Sequence, residues 1–170
     1  MALSWLLDDG VVDLLARLES ASWPRLAGED LAIVEATVAD CQEERRRFIS
    51  AEIVQVLEVN AESPAEELLY GYFRSRSEYR KGSTINFAEH QALALLMTSE
   101  PNRVFVTFDK GAAYLALMEL GAGRVVHPFD LWQQLNHRNR LAPGAFADLV
   151  EKSRRKEQLG PPWRFTRLLP

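Results

Sequence analysis

Short apolar runs alternate along this chain with longer stretches of helical spacing, and that alternation limits the folds open to it more than any other feature. Leu3 to Leu7 is apolar and is cut off by Asp8-Asp9-Gly10, as expected of a buried strand running into a turn. Val11, Val12, Leu14, Leu15 and Leu18 then recur at helical spacing. The same order of events repeats. Leu31–Val34 precedes a polar, helix-prone stretch from Glu35 to Phe48, and Ile53–Val59 precedes a helix opened by Ser63-Pro64. Phe87–Met97 is a strongly apolar helix, Val104–Thr107 a fourth strand, 110–120 a helix stopped at Gly121, and 124–126 a fifth strand before His127-Pro128. Helices follow over 129–135 and 143–158. Strands this apolar, separated by helices, predict an α/β fold: a three-layer α/β/α sandwich around a mainly parallel sheet, with a C-terminal helical extension.

Composition narrows the class further. The chain has 170 residues, 47% of them hydrophobic and 26% charged, which suits a soluble globular domain and excludes a disordered one. A single cysteine, Cys41, rules out an intramolecular disulfide and a cysteine-based zinc site. The N-terminus has no basic start and meets acids by Asp9, and no apolar run approaches the length of a bilayer span. A cytoplasmic protein with no membrane partner is expected. The net charge of −4 conceals an asymmetry: residues 1–135 carry −9 and residues 136–170 carry +5. The division expected is a domain over 1–135 and a basic helical extension over 136–170. Such a tail can draw in a polyanion or pair with an acidic surface of another subunit.

In open parallel sheets, ligands bind beyond the carboxyl ends of the strands. Acids gather at that expected edge. Asp8 follows the first strand, Asp109 follows the fourth, Asp40 lies about one and a half turns into the second helix, and Glu89 opens the apolar helix 87–97. Converging carboxylates repel one another unless a cation sits among them, and an all-oxygen set suits Mg²⁺ or Mn²⁺ rather than zinc. Each acid alone has a plainer use as a helix cap or a surface charge. Asp8-Asp9-Gly10 is neither a Walker nor a dinucleotide fingerprint, which counts against a small-molecule enzyme on a doubly wound sheet.

Four segments resemble the PIN domains, a family of metal-dependent nucleases. They are the opening strand Leu6-Leu7-Asp8 with the helix that follows, Ile33 to Cys41 with its acid at Asp40, Asn86-Phe87-Ala88-Glu89-His90-Gln91-Ala92-Leu93, and Val104-Phe105-Val106-Thr107-Phe108-Asp109. The likeness covers about residues 1–135. It implies an endoribonuclease that hydrolyses phosphodiesters of RNA, single-stranded by expectation, through a metal-activated water. Asp8, Glu89, Asp109 and Asp40 would hold Mg²⁺ or Mn²⁺, with Thr107 in support. Small bacterial members are often toxins paired with an antitoxin protein, so an antitoxin is an expected partner. The chain departs from the family at Ala88 and Gln91, where the family has Gly and a second Glu, at Asp9, where it has Thr or Ser, and after Asp109, where no further acid follows. Those departures suit the alternative reading, a PIN-like module that binds RNA or protein and cuts weakly or not at all.

The remaining conspicuous residues have ordinary readings that outweigh functional ones. His90 beside Glu89 is expected to pack between helices rather than shuttle protons, and His127 to be structural. Trp5, Trp23, Trp132 and Trp163 suit packing better than base stacking. Arg74, Arg76, Arg80 and Lys81 suit a phosphate groove and a solvated helix end equally well. In the tail, Phe146, Leu149 and Val150 form an apolar stripe that has to cover either the chain's own body or a second copy in a homodimer.

Overall fold

The computed structural model describes residues 3–39, 42–73 and 87–157. It is an α/β protein with a five-stranded, all-parallel sheet between two layers of helices. The elements run β1 (Ser4–Leu7), α1 (Asp9–Ala16), a 3₁₀ segment (Ser20–Arg25), β2 (Asp30–Val34), a 3₁₀ turn (Glu35–Thr37), α2 (Glu43–Ser50) and β3 (Gln55–Leu57). Then come α3 (Pro64–Glu67), which continues as a π-helical segment (Leu68–Phe73), α4 (Phe87–Met97), β4 (Arg103–Val106), α5 (Lys110–Leu120), β5 (Val125–Val126), α6 (Pro128–His137) and α7 (Ala145–Lys156). Among the described residues, no helix is long and apolar enough to cross a membrane.

The strand order is β3-β2-β1-β4-β5. The chain builds outward from β1 through β2 to β3, then returns to the other side of β1 with β4 and β5. The order therefore reverses between β1 and β4, the place where an open parallel sheet leaves a crevice beyond its carboxyl ends. Strand residues alternate between two cores. Trp5, Leu7, Leu31, Ile33, Val104, Val106 and Val126 join a core with α1, α2, α6 and α7. Leu6, Ala32, Val34, Leu57, Phe105 and Val125 face α3, the π-helical segment, α4 and α5. This two-sided burial is why the strands read as unbroken apolar runs.

The tail's apolar stripe is covered by its own chain. Leu149 is fully buried in the first core, with Ala145 and Phe146 packed against it. Trp5, Trp23 and Trp132 are buried in that core as well. Helix α6 continues to His137, past residue 135.

Two expected elements are corrected. A continuous helix from Glu35 to Phe48 does not form. A 3₁₀ turn over Glu35–Thr37 is followed by α2, which begins only at Glu43. The reason is non-local. The Ala36 amide donates to Gln91 Oε1 at 3.0 Å, and the Thr37 carbonyl accepts from Arg45 Nη1 at 2.9 Å, so backbone groups a helix would use are engaged elsewhere. Asp40, expected inside that helix, precedes α2 and lies outside the described residues, as does Cys41. The third strand also shortens, from Ile53–Val59 to Gln55–Leu57. Arg74, Arg76, Arg80, Lys81 and Trp163 fall outside the described residues.

Candidate metal centre at the carboxyl edge of the sheet

Parallel pairing sets Leu7 beside Val106, so the next residues, Asp8 and Thr107, emerge side by side. The Asp8 amide donates to the Val106 carbonyl at 3.0 Å, which carries the β1–β4 ladder one residue further. Asp8 is then the N-cap of α1, its Oδ1 accepting from the Asp9 amide at 2.9 Å. Two residues past Thr107, Asp109 repeats the arrangement as N-cap of α5, with Oδ1 accepting from the Ala112 amide at 2.8 Å. Two helices thus start at one point, and the positive ends of both favour the carboxylates that cap them.

Thr107, fully buried, joins the two acids. Its hydroxyl donates to Asp8 Oδ2 at 2.5 Å and accepts from the Asp109 amide at 3.0 Å. The hydroxyl proton is therefore committed to Asp8, which locks the Asp8 carboxylate in place. Asp109 is exposed, and its Oδ2 has no hydrogen-bond partner among the described residues. Burial pushes the Asp8 carboxyl up from 3.8 to about 6; the Thr107 hydroxyl and the Asp9 amide oppose this, while the charges of Asp9 and Asp109 reinforce it.

Glu89 is buried in the first turn of α4, and that turn sits at the same edge of the sheet. Two residues on, Gln91 Nε2 donates to Glu35 Oε1 at 2.6 Å while Gln91 Oε1 accepts from the Ala36 amide, docking α4 on the residues just beyond β2. Of the four expected ligands, the structure thus brings Asp8 and Asp109 together with Thr107 and sets Glu89 at the same edge. Among the described residues, no three His, Cys, Asp or Glu side chains gather closely enough to hold a metal ion.

A scan against protein-family models, a search of the curated proteins and a search of the solved structures each give no match. The chemistry of the edge is therefore read from its own residues. Mg²⁺ is commonly bound through one or two carboxylates and keeps several of its waters, and half-buried Asp8 and exposed Asp109 are the carboxylates at this edge that could take such an ion.

Both histidines at this end are structural. His90 stacks on Phe73 with ring centroids 5.5 Å apart, and its burial lowers its pKa. His127 caps α6, its Nδ1 accepting from the Phe129 amide at 3.1 Å, and its Nε2 hydrogen-bonds Glu157 Oε1. Three residues at this edge escape sequence reasoning: Glu35, which holds Gln91, and Gly10 and Lys156, which meet beside Phe108. Only Lys156 leaves a usable signal. Leu149, Ser153 and Lys156 lie at i, i+4 and i+7, which sets a cation on the helix face that enters the core.

Proposed function

We propose that the protein is a PIN-like endoribonuclease dependent on Mg²⁺ or Mn²⁺, hydrolysing phosphodiesters of single-stranded RNA. The observation that carries this reading is the Asp8–Thr107–Asp109 arrangement at the reversal point of the sheet, with one carboxyl raised by burial and by its acidic neighbours. Neighbouring acids that repel each other are stabilised by a cation between them. Asp8 and Asp109 are the residues that hold the ion in this reading, which supplies charge neutralisation at the phosphate and a nucleophilic water. The chain's own groups do the positioning. Thr107 fixes the Asp8 carboxylate, the Asp9 and Ala112 amides fix one oxygen of each acid, and Asp109 is exposed to solvent. The first turns of α1 and α5 add partial positive charge that favours an incoming phosphate.

The test is cleavage of single-stranded RNA by purified protein. Cleavage is expected with Mg²⁺ or Mn²⁺ and not with EDTA. Asp8→Asn should lower it by at least about a hundredfold, because the volume is kept while the charge is lost. Cleavage that survives both EDTA and Asp8→Asn, in preparations free of contaminating nuclease, would reject this centre.

A second reading, a PIN-like RNA- or protein-binding module without cleavage, has one observation in its favour: among the described residues, the acids stop at a pair and do not form a group of three. RNA binding without cleavage in either metal would select it.

A further inference from the structure

The last turn of α7 carries a lysine to the rim of the acidic pair. That turn is pinned from two sides. Trp132 Nε1 donates to Ser153 Oγ at 2.9 Å, and Ser153 Oγ donates to the Leu149 carbonyl at 2.6 Å, both within the core. Because His127 Nδ1 accepts a backbone proton, its Nε2 carries the ring proton and donates it to Glu157 Oε1. His127 directly follows β5, so this bond ties the end of α7 to the carboxyl edge of the sheet.

Lys156 lies between these anchors. Its Nζ is 5.8 Å from the centroid of the Phe108 ring, within cation–π reach. A methyl group placed on Gly10 would sit 2.6 Å from Lys156 Cε and 2.9 Å from Nζ, so the side chain runs hard against the Gly10 backbone. Gly10 is two residues beyond Asp8, and Phe108 stands between Thr107 and Asp109. The ammonium is therefore held between the two segments that carry the two carboxylates. Lys156 is exposed, and among the described residues it makes no ion pair. A ring face and a bare backbone seat it, and its charge stays available to a ligand.

We infer that Lys156 is a phosphate-binding residue of the acidic centre, holding a non-bridging phosphate oxygen of an RNA strand that crosses Asp8 and Asp109. For its substrate the inference rests on the nuclease reading above. A polyanion approaching two acids meets repulsion that a fixed cation at the rim offsets, and a lysine suits phosphate as a compact point charge. It also gives the basic tail a specific role. Helix α7 sets one cation against Gly10 and Phe108, while two of its other three basic side chains, Lys152 and Arg155, pair within the helix with Asp148 and Glu151.

The test compares Lys156→Gln with Lys156→Arg and with Arg155→Gln, all in the full chain. Arg155→Gln removes the same charge one residue away. In steady-state cleavage of single-stranded RNA with Mg²⁺, Lys156→Gln should raise KM about tenfold and leave kcat within about twofold. Lys156→Arg should restore most of the loss, and Arg155→Gln should move neither constant by more than about twofold. Equilibrium binding of the same RNA to Asp8→Asn protein, measured across salt, should lose about 0.7 from the slope of log K against log salt when Lys156→Gln is added. An unchanged KM and slope, or an equal effect of Arg155→Gln, overturns the inference. If the wild-type protein cuts no RNA, the nuclease reading fails and the salt slope alone decides. A lost increment keeps Lys156 as the RNA contact of a non-cutting module, and an unchanged slope removes it.

Discussion

At the amino ends of the strands, Arg103 is buried and donates to Asp30 Oδ1 at 2.6 Å, Glu100 Oε2 at 2.8 Å and Gln55 Oε1 at 3.0 Å. At the carboxyl ends of the same central strands, two aspartates share one hydroxyl, and no cation among the described residues pairs with either. Their electrostatics have opposite sign. Burial pushes Asp30 up, but the Ser4 side chain and the Arg103 guanidinium outweigh it and hold the carboxyl below 3.8; Asp8 is pushed up to about 6. Carboxylates with a buried guanidinium bonded to both of them need nothing from outside, and the set serves as a clamp across β1, β2 and β4. A set of acids with no cation paired to it is stabilised by a ligand of the missing sign. The presence of charged residues at the end of a sheet is therefore a poor guide to a site, and their imbalance is a better one.

The largest effect is expected from breaking the matched end. Arg103→Met should destabilise the fold by about 3 kcal/mol, because two carboxylates lose their cation beside a buried position. RNA cleavage per folded molecule should be unchanged, since the whole sheet separates the clamp from Asp8. Chemical denaturation paired with an activity assay measures both, and a loss of activity without a loss of stability would erase the distinction between the two ends.

The mismatched end should answer to pH in the opposite sense. The folded protein holds the Asp8 proton up to about pH 6, whereas the unfolded chain releases it near 3.8. The folded state binds more protons in that window, so stability contributed by this group falls as pH rises from 3.8 toward 6 and stays lost above it. Asp8→Asn should therefore stabilise the metal-free protein by about 2 kcal/mol at pH 7, after allowance for the group's partial solvent exposure, and by almost nothing near about pH 3.5. Asp30 works the other way: its contribution is present above 3.8 and is lost as pH falls through its lowered value. Denaturation curves of wild type, Asp8→Asn and Arg103→Met across pH separate the two slopes. A flat Asp8 difference across pH would mean that the carboxyl is not strained by burial.

A cation should relieve the same strain. At ten times its dissociation constant, Mg²⁺ or Mn²⁺ binding to the native state is worth about 1.4 kcal/mol, or about 3–5 °C in a melting temperature for a domain of this size. The gain should vanish in Asp8→Asn and persist in Arg103→Met. Equal shifts in all three proteins would place the ion elsewhere.

What is legible in the sequence follows from which forces are local. The alternation of apolar runs and helical spacing is a property of neighbouring residues, and it leads to the layers and to the parallel sheet. It also leads to Asp8 and Asp109, because a parallel sheet with β1 beside β4 forces the residues after both strands to one edge. The helix expected over 35–48 fails for the opposite reason. Gln91, far along the chain, takes the Ala36 amide, and helical propensity carries no trace of that bond. Glu89 stands out as an acid at the head of an apolar helix, but coordinating distance is set by how α4 docks, which Gln91 and Glu35 decide. Lys156 is readable only by counting helical positions back to Leu149, whereas the net charge of the tail weights eight basic residues alike.

The smallest effect sharpens the comparison most, because it touches neither carboxylate. Gly10 lies in the first turn of α1, where a glycine is slightly unfavourable relative to alanine. Its value to the fold is therefore not conformational; what it provides is the space that Lys156 occupies. Gly10→Ala should change stability by no more than about 0.5 kcal/mol, since the atoms it displaces are the far end of a flexible side chain and the gain in helix propensity offsets the shift. The displaced ammonium should nevertheless raise the KM for RNA about threefold, less than its outright removal. Combined with Lys156→Gln, the alanine should add nothing, because both changes act through one contact and their effects are not additive. Additive losses in the double variant would show that Gly10 serves the substrate directly. A stability loss with unchanged KM would show that it serves only packing, and the mismatched end would then have two carboxylates and no built-in cation at its rim.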